Sequence, residues 1–367
     1  MDDGRRGSGG GRALALIVVA VLGLAGFLGY RGELPGWPLF TGPGTAIAPM
    51  PPAPAPPLDR AAVAAAVEPA MVHISTATET FGQGAAGSGI VLTAEGQVLT
   101  SHHVVKGADT VTVTSVGTGQ VWSATVLGYD SGVDIALLEL PGAAGLTVAR
   151  LGNSADVRLH DEVLAIGNAG GAGGTPTSIT GNVTDLDSTI VALNSADLSR
   201  KALSGMLEIA AAVSSGQSGG ALADWRGAII GVITAASGEH DPEVDREPNG
   251  YAVPIDTAMR VVRQIRSGTP TDTVHIGPTA TLGVLISDAR PSGARIDVAI
   301  YGSPAHAAGL ADGEVITSID GRAITSARAL RAAINVRKPD ETVRLGVLGP
   351  GGVERTVTVV LGKGAPN

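Results

Sequence analysis

The chain has 367 residues, 44% of them hydrophobic but only 3% aromatic, with 53 glycines and a formal net charge of −9. Cysteine is absent, which excludes a disulfide framework, a thiolate metal site and a cysteine nucleophile. No basic stripe is present, which argues against nucleic acid as a partner, and the length suggests two or three domains with cores of Ala, Val, Leu and Ile.

Residues 1–12 carry Arg5, Arg6 and Arg12 and read as a short cytoplasmic tail. Residues 13–30, ALALIVVAVLGLAGFLGY, hold no charge. As a helix they span roughly 27 Å, close to the apolar thickness of a bilayer. The preceding arginines orient such an anchor with everything after Arg31 outside the cell. A cleaved signal peptide is the rival reading, but the nearest Ala-x-Ala, at 46–48, lies far from the apolar run. Residues 31–58 are proline-rich and end in MPPAPAPP, which suits an extended spacer rather than helix or central strand.

From Asp59 the chain opens with an amphipathic turn, LDRAAVAAAVEPAM, which Pro69 ends. Short apolar runs then alternate with turn signals: GSGIVLTAEGQVLT, DTVTVTSV, WSATVLGYD, DIALLEL, EVLAIGN, SITGNVTDL and GAIIGVITA. No βαβ rhythm appears, so an antiparallel all-β sandwich or pair of barrels is expected. Met259, Val261, Val262 and Ile265 predict one closing helix. Residues 267–273 form a polar hinge. Beyond it, helical patterns near 303–310 and 326–336, set among strands, predict a separate α+β domain; the boundaries fall at 59–268 and 269–367.

Acyl transfer by serine needs a base, a carboxylate to orient it, and paired N–H donors for the oxyanion. Candidates occur in the order His103 (LTSHHVV), Asp134 (VDIALLEL) and Ser218 (SSGQSGGAL). Asp134 heads a wholly apolar strand, and a buried carboxylate there asks for a partner such as an imidazole. The glycines around Ser218 let the backbone turn sharply, so that the N–H groups of Gly216 and Ser218 can converge on one point. A plain Gly/Ser loop is the alternative for this stretch taken alone.

With GSGIVLTAEGQVLTSHHVV, YDSGVDIALLEL, LGNSADVRLHDEVLAIGN, SGQSGGALAD and NGYAVPI, then TLGV, GSPAHAAGL, DGEVITSIDG and VTVVLG, the chain resembles a trypsin-like serine protease of the HtrA (DegP) type followed by one PDZ domain, in its actinobacterial exported form. The resemblance covers roughly residues 59–362. It implies a mostly β fold of two six-stranded antiparallel barrels with the site between them, plus an α+β PDZ domain, and no cofactor. It makes His103 the base, Asp134 its orienter, Ser218 the nucleophile, and the Gly216 and Ser218 N–H groups the oxyanion donors. The implied activity is ATP-independent cleavage of unfolded or damaged exported proteins, with the PDZ domain capturing C-termini at Leu282, Gly283 and Val284. A catalytically silent scaffold or chaperone is the alternative. The family is commonly trimeric through aromatics near the start of the protease domain, where Phe81 alone stands.

Departures from the family pattern are informative. Gln217 precedes the nucleophile where trypsins have an Asp that pairs with a new N-terminus, so activation by N-terminal insertion is not expected. Ala210 replaces a usual Asp, which leaves the support of the oxyanion loop unexplained. Ala212 stands where trypsins keep the S1 Asp, so small or medium apolar P1 residues are expected and Lys or Arg rejected. His102 occupies a position often Asn, and its ring should point away from that of His103 on an extended stretch. His73 reads as structural, and His306 as helix surface. NAGGAGGT (168–175) lacks a phosphate-loop ending and reads as a loop beside the active site. The acidic stretch 238–250 does not fit an EF-hand and reads as a solvated loop; no metal is expected.

Overall fold

The computed structural model describes residues 56–78, 84–193, 200–236, 249–271 and 273–366. The expected membrane span at 13–30, Phe81 and most of the acidic stretch lie outside these. Among the described residues no helix is long and apolar enough to cross a membrane.

Helix α1 (Arg60–Val67) starts because Asp59 Oδ1 accepts from the N–H groups of Ala61 and Ala62, both at 3.1 Å. Its alanines favour helix, Val63 and Val67 one turn apart face the core, and Pro69 ends it in a 3₁₀ turn. Next come β1 (Met71–Ala77), β2 (Ala86–Val91), β3 (Gln97–Ser101), the four-residue helix α2 (His102–Val105), β4 (Thr110–Ser115), β5 (Val121–Ser123), β6 (Thr125–Asp130) and β7 (Ile135–Glu139). These pair in the order β6-β7-β3-β2-β1-β4-β5, antiparallel throughout. The expected six-stranded barrel is therefore not a ring of hydrogen bonds. The sheet's two ends are instead carried by one bent segment: β5 and β6 are separated only by Ala124, and the chain passes there from β4 to β7.

The second half does close. β8 (Glu162–Gly167), β9 (Thr177–Leu193), β10 (Arg200–Ile209), β11 (Ala221–Ala223), β12 (Ile229–Ala236) and β13 (Gly250–Pro254) form a six-stranded barrel in the order β10-β13-β12-β11-β8-β9. Helix α3 (Ile255–Arg266) follows, burying Ile255, Ala258, Val261, Val262 and Ile265 along one stripe, with Met259 at its margin. Each half has its own apolar interior. A third cluster joins them: Ile90, Leu99 and Leu137 of the first half pack with Leu164, Ile166 and Val232 of the second, under α1 and α3. Truncating one of these, such as Leu137, to Ala should cost about 2–5 kcal/mol.

The segment after the polar turn returns to the first sheet. β14 (Val274–Ile276) pairs antiparallel with β6, His275 opposite Tyr129, making that sheet eight-stranded. The last unit holds β15 (Thr279–Thr281), β16 (Val284–Asp288), β17 (Ala294–Ala299), α4 (Pro304–Ala307), β18 (Val315–Ile319), β19 (Arg322–Ala323), α5 (Ala327–Asn335), β20 (Thr342–Leu348), β21 (Glu354–Val360) and β22 (Gly362–Gly364). Its main sheet runs β16-β17-β18-β20-β21, with β19 on β18, around a separate core, and β15 pairs with β22.

Candidate active site

His103 sits in the first turn of α2, directly after β3. The HisHis pair is therefore helical rather than extended, which corrects the expected backbone. The separation of the two rings survives, because successive helical positions diverge by about 100°. His102 turns inward and is buried, while the His103 side chain keeps 39% of its surface exposed.

Asp134 immediately precedes β7, and its backbone takes the left-handed φ of 60°, which costs a non-glycine residue about 1 kcal/mol or more. That conformation brings its carboxylate under α2. Oδ1 accepts from the His103 backbone N–H at 2.9 Å, Oδ2 accepts from His103 Nδ1 at 2.7 Å, and the His102 N–H donates to the Asp134 carbonyl at 3.1 Å. With Nδ1 donating, Nε2 is left as an acceptor facing outward. Burial works against the imidazolium, but the charge and hydrogen bond of Asp134 outweigh it, so the His103 pKa is raised above its ordinary value. Burial likewise opposes the Asp134 carboxylate. The charge of His103, its hydrogen bond and that of Thr234 prevail, and the Asp134 pKa is lowered.

Thr234 on β12 joins the two halves of the site. Its hydroxyl donates a short hydrogen bond to Asp134 Oδ2, and its carbonyl accepts from Ser218 Oγ at 3.3 Å. The carboxylate and the serine therefore meet at one threonine from the second barrel, with the base held on the carboxylate. The Ser218 hydroxyl is turned to that carbonyl.

The oxyanion loop is held by groups that the sequence reading missed. Ser88 on β2, buried, donates from Oγ to the Gly216 carbonyl at 2.9 Å and accepts from the Asn168 N–H at 2.8 Å. Its own N–H donates to the Ser218 carbonyl at 2.8 Å. The Ser215 carbonyl is held by the Gly170 N–H at 2.7 Å, so NAGGAGGT does lie beside the site. Gly216 has φ 90°, and a Cβ there would stand 2.2 Å from the Asn168 carbonyl oxygen. Only glycine fits. Gln217, fully buried, accepts at Oε1 from the Ser214 N–H at 2.9 Å. These contacts supply the support that Ala210 does not. The N–H groups of Gly216 and Ser218 donate to no acceptor among the described residues. The signal that could have revealed Ser88 is its setting, a small polar residue between two glycines in an otherwise apolar strand.

The remaining expected residues take these positions. Ala212 is exposed between buried Ala211 and Val213. Leu282 is buried, Gly283 has φ 75°, and Val284 begins β16, the edge strand of its sheet. The Leu282 carbonyl accepts from the Ala305 N–H, and that of Gly283 from Ile300 N–H and Ser303 Oγ, so both point into the domain. Helix α5 packs beside β16, whose outer edge is unpaired. His73 Nε2 contacts the Gly174 carbonyl at 2.7 Å, and His306 is exposed against Tyr301. Among the described residues no cluster suits a metal ion.

Two β-halves with an Asp–His pair and a glycine-framed serine between them, followed by a small sheet with an open edge beside a helix, define a trypsin-like peptidase fold carrying a peptide-binding module. Residues 87–232 match the family described as "Trypsin-like peptidase domain", and residues 280–361 the family described as "PDZ domain". Serine protease PepD of Mycobacterium tuberculosis is 34% identical over 314 residues, covering 82% of this chain and 65% of that protein. Periplasmic serine endoprotease DegP of Salmonella typhimurium is 30% identical over 283 residues, covering 76% of this chain and 56% of that protein. The chain thus spans less than two thirds of the length of either. A solved structure titled "HtrA-type protease AlgW with tripeptide" is 26% identical, covers 83% of this chain and 97% of its own, and superposes with a TM-score of 0.47. The chain thus carries a trypsin-like peptidase domain followed by a PDZ domain, and is similar along most of its length to serine proteases of this kind.

Proposed function

We infer that this protein is a serine endopeptidase that cleaves unfolded or damaged polypeptides through an acyl-enzyme. The observation that carries the reading is the His103 ring held on the buried Asp134 carboxylate, which shares Thr234 with Ser218, beside two backbone N–H groups with no acceptor among the described residues. On substrate binding the Ser218 hydroxyl turns from Thr234 to His103 Nε2, which takes its proton as Oγ attacks the scissile carbonyl. Asp134 stays ionised and stabilises the imidazolium. The Gly216 and Ser218 N–H groups meet the oxyanion. The imidazolium then gives its proton to the leaving amine, and water reverses the sequence to free the acid.

The open edge of β16 suits β-addition of a peptide C-terminus, with Leu282, Gly283 and Val284 at the carboxylate end. Ala212, six residues before Ser218, brings no charge to hold a Lys or Arg side chain, which favours small or medium apolar P1 residues. Residues 13–30 tether the folded part to the outer face of the cell membrane through the proline-rich spacer.

A silent scaffold is the second reading, favoured by the Ser218 hydroxyl resting on Thr234. A fluorophosphonate probe, applied with and without added peptide, decides between them. Labelling abolished by Ser218→Ala, with casein digestion lost in the same variant, supports the peptidase. No labelling under any condition supports the scaffold.

A further inference from the structure

A line of three aromatic rings runs through the molecule beside the site. The His102 ring stacks on Tyr129, with centroids 4.3 Å apart and planes 17° apart. Tyr129 stacks in turn on His275, at 5.1 Å and 23°. Tyr129 belongs to β6 and His275 to β14, directly opposite each other in the added strand pair. Beyond the last ring, His275 Nδ1 lies 3.1 Å from the carbonyl of Asn335, the final residue of α5, and Nε2 lies 3.1 Å from that of Gly277. Lys338, just past α5, donates from Nζ to the Ile276 carbonyl. Burial first, then the Lys338 ammonium, holds the His275 pKa below its ordinary value.

At the other end, the line finishes on the turn that bears the base. Helix α2 is only four residues long, too short to be stable alone, so its place is set by what it touches. Val104 and Val105 fix its apolar side, and His102 rests on Tyr129. A second contact from the C-terminal unit reaches the same turn: the Gly107 N–H donates to the Pro366 carbonyl at 2.7 Å.

We propose that Tyr129 and His275 are positioning residues of the protease, tying the end of the PDZ groove helix through the ring stack to the turn that carries His103. The proposal rests on the reading of His103 as the base. Neither ring touches substrate. Each acts by holding His102, and His102 holds His103 and Asp134 in register. An error of about 1 Å in such a pair is enough to cost orders of magnitude in rate.

The test compares Tyr129→Leu, Tyr129→Phe, His275→Ala and the Tyr129→Leu/His275→Ala double variant in the full chain. The substrate is a chromogenic peptide too short to engage the PDZ groove. Tyr129→Leu and His275→Ala are each expected to lower kcat about tenfold with KM nearly unchanged, while Tyr129→Phe, which keeps the stack, stays near the parent. Because the rings act in series, the double variant should be no slower than the worse single one, whereas independent defects would multiply to about 100-fold. Multiplying defects, an unchanged kcat in both singles, or a Phe variant as slow as the Leu variant overturns the proposal. Should Tyr129→Leu fail to fold, the half-buried His275→Ala decides alone. The ring-nitrogen resonances of His103 provide a readout that needs no turnover. They should move in His275→Ala whether or not the parent reacts with fluorophosphonate, so a failed peptidase reading and a failed ring stack give different results. Resonances that do not move overturn it.

Discussion

Ser88→Ala tests the architecture of the oxyanion loop most directly. The hydroxyl it removes serves two partners, the Gly216 carbonyl at 2.9 Å and the Asn168 N–H at 2.8 Å, in a site where Ser88 is 1% exposed. Each buried group left unpaired costs about 1–3 kcal/mol, and the two together should cost about 2–4 kcal/mol because partial water entry relieves some of the loss. In a chain of this size that lowers the thermal midpoint by roughly 5–10 °C. The effect on rate follows from which groups are freed. Gly216 carries one of the two oxyanion N–H donors, and its carbonyl is what Ser88 holds away from the cleft. Losing such a donor outright costs about 10²–10³ in kcat, and loosening its tether should cost about tenfold. The assay is kcat on active sites counted by fluorophosphonate titration, alongside a thermal melt, so that unfolded enzyme is not mistaken for slow enzyme. A variant with an unchanged melt and unchanged kcat per active site would show that the loop keeps its shape without Ser88.

Two further outcomes follow from the same geometry. The rate should fall as pH drops through the His103 pKa, because the base must be neutral, and that midpoint should lie above the ordinary histidine value of about 6.5. Asp134→Asn removes the charge that raises it while burial remains, so the pH–rate midpoint should fall below the parent's and kcat should drop by about 10⁴. The pair also links to stability. The raised His103 pKa contributes stability that is complete below about pH 6.5 and is lost as pH rises through its folded value. The lowered Asp134 pKa contributes stability present above about pH 3.9 and lost as pH falls through its folded value. Denaturation melts across pH 3–9 should therefore show the parent's advantage over Asp134→Asn greatest in about the pH 4–6.5 window. In the C-terminal unit, Gly283→Ala places a methyl 2.2 Å from the Ser303 Cβ at a backbone φ of 75°. It should abolish binding of a C-terminal peptide by calorimetry while leaving hydrolysis of a short chromogenic peptide near the parent's rate.

What could be read from the sequence was whatever is written locally. The stripe of Val261, Val262 and Ile265 announced α3, Asp59 and Pro69 bounded α1, and apolar runs between turn signals announced the strands. The context of Asp134, a lone carboxylate before IALLEL, asked for an imidazole, and the structure places His103 on it at 2.7 Å. What could not be read were contacts between residues far apart in the chain. Ser88 meets Gly216 across 128 positions and Thr234 meets Asp134 across 100, and no periodicity encodes such pairs. The bend at Ala124 was hidden because β5 and β6 share one extended pattern and differ only in their partners. The return of β14 to the first sheet was hidden behind a stretch that reads as a polar hinge, where three residues suffice to make the pairing.

The distribution of these long contacts says how such a site is switched. Nearly every group that shapes it reaches across the seam between the two halves. Ser88 of the first half holds Gly216, Asn168 and Ser218 of the second, Ser101 Oγ donates to the Ile233 carbonyl at 3.0 Å, and Thr234 reaches back to Asp134. The seam itself is packed with Ile90, Leu99, Leu164 and Ile166, which do not slide without losing contacts worth several kcal/mol. The two halves therefore behave as one rigid frame, and the adjustable parts are the elements too short to hold themselves: the four residues of α2 and the glycines at 170–174. One positions the base and the other the oxyanion loop. His73 contacts the second, and the ring stack ends on the first, so a change of rate can be made at either without disturbing the seam.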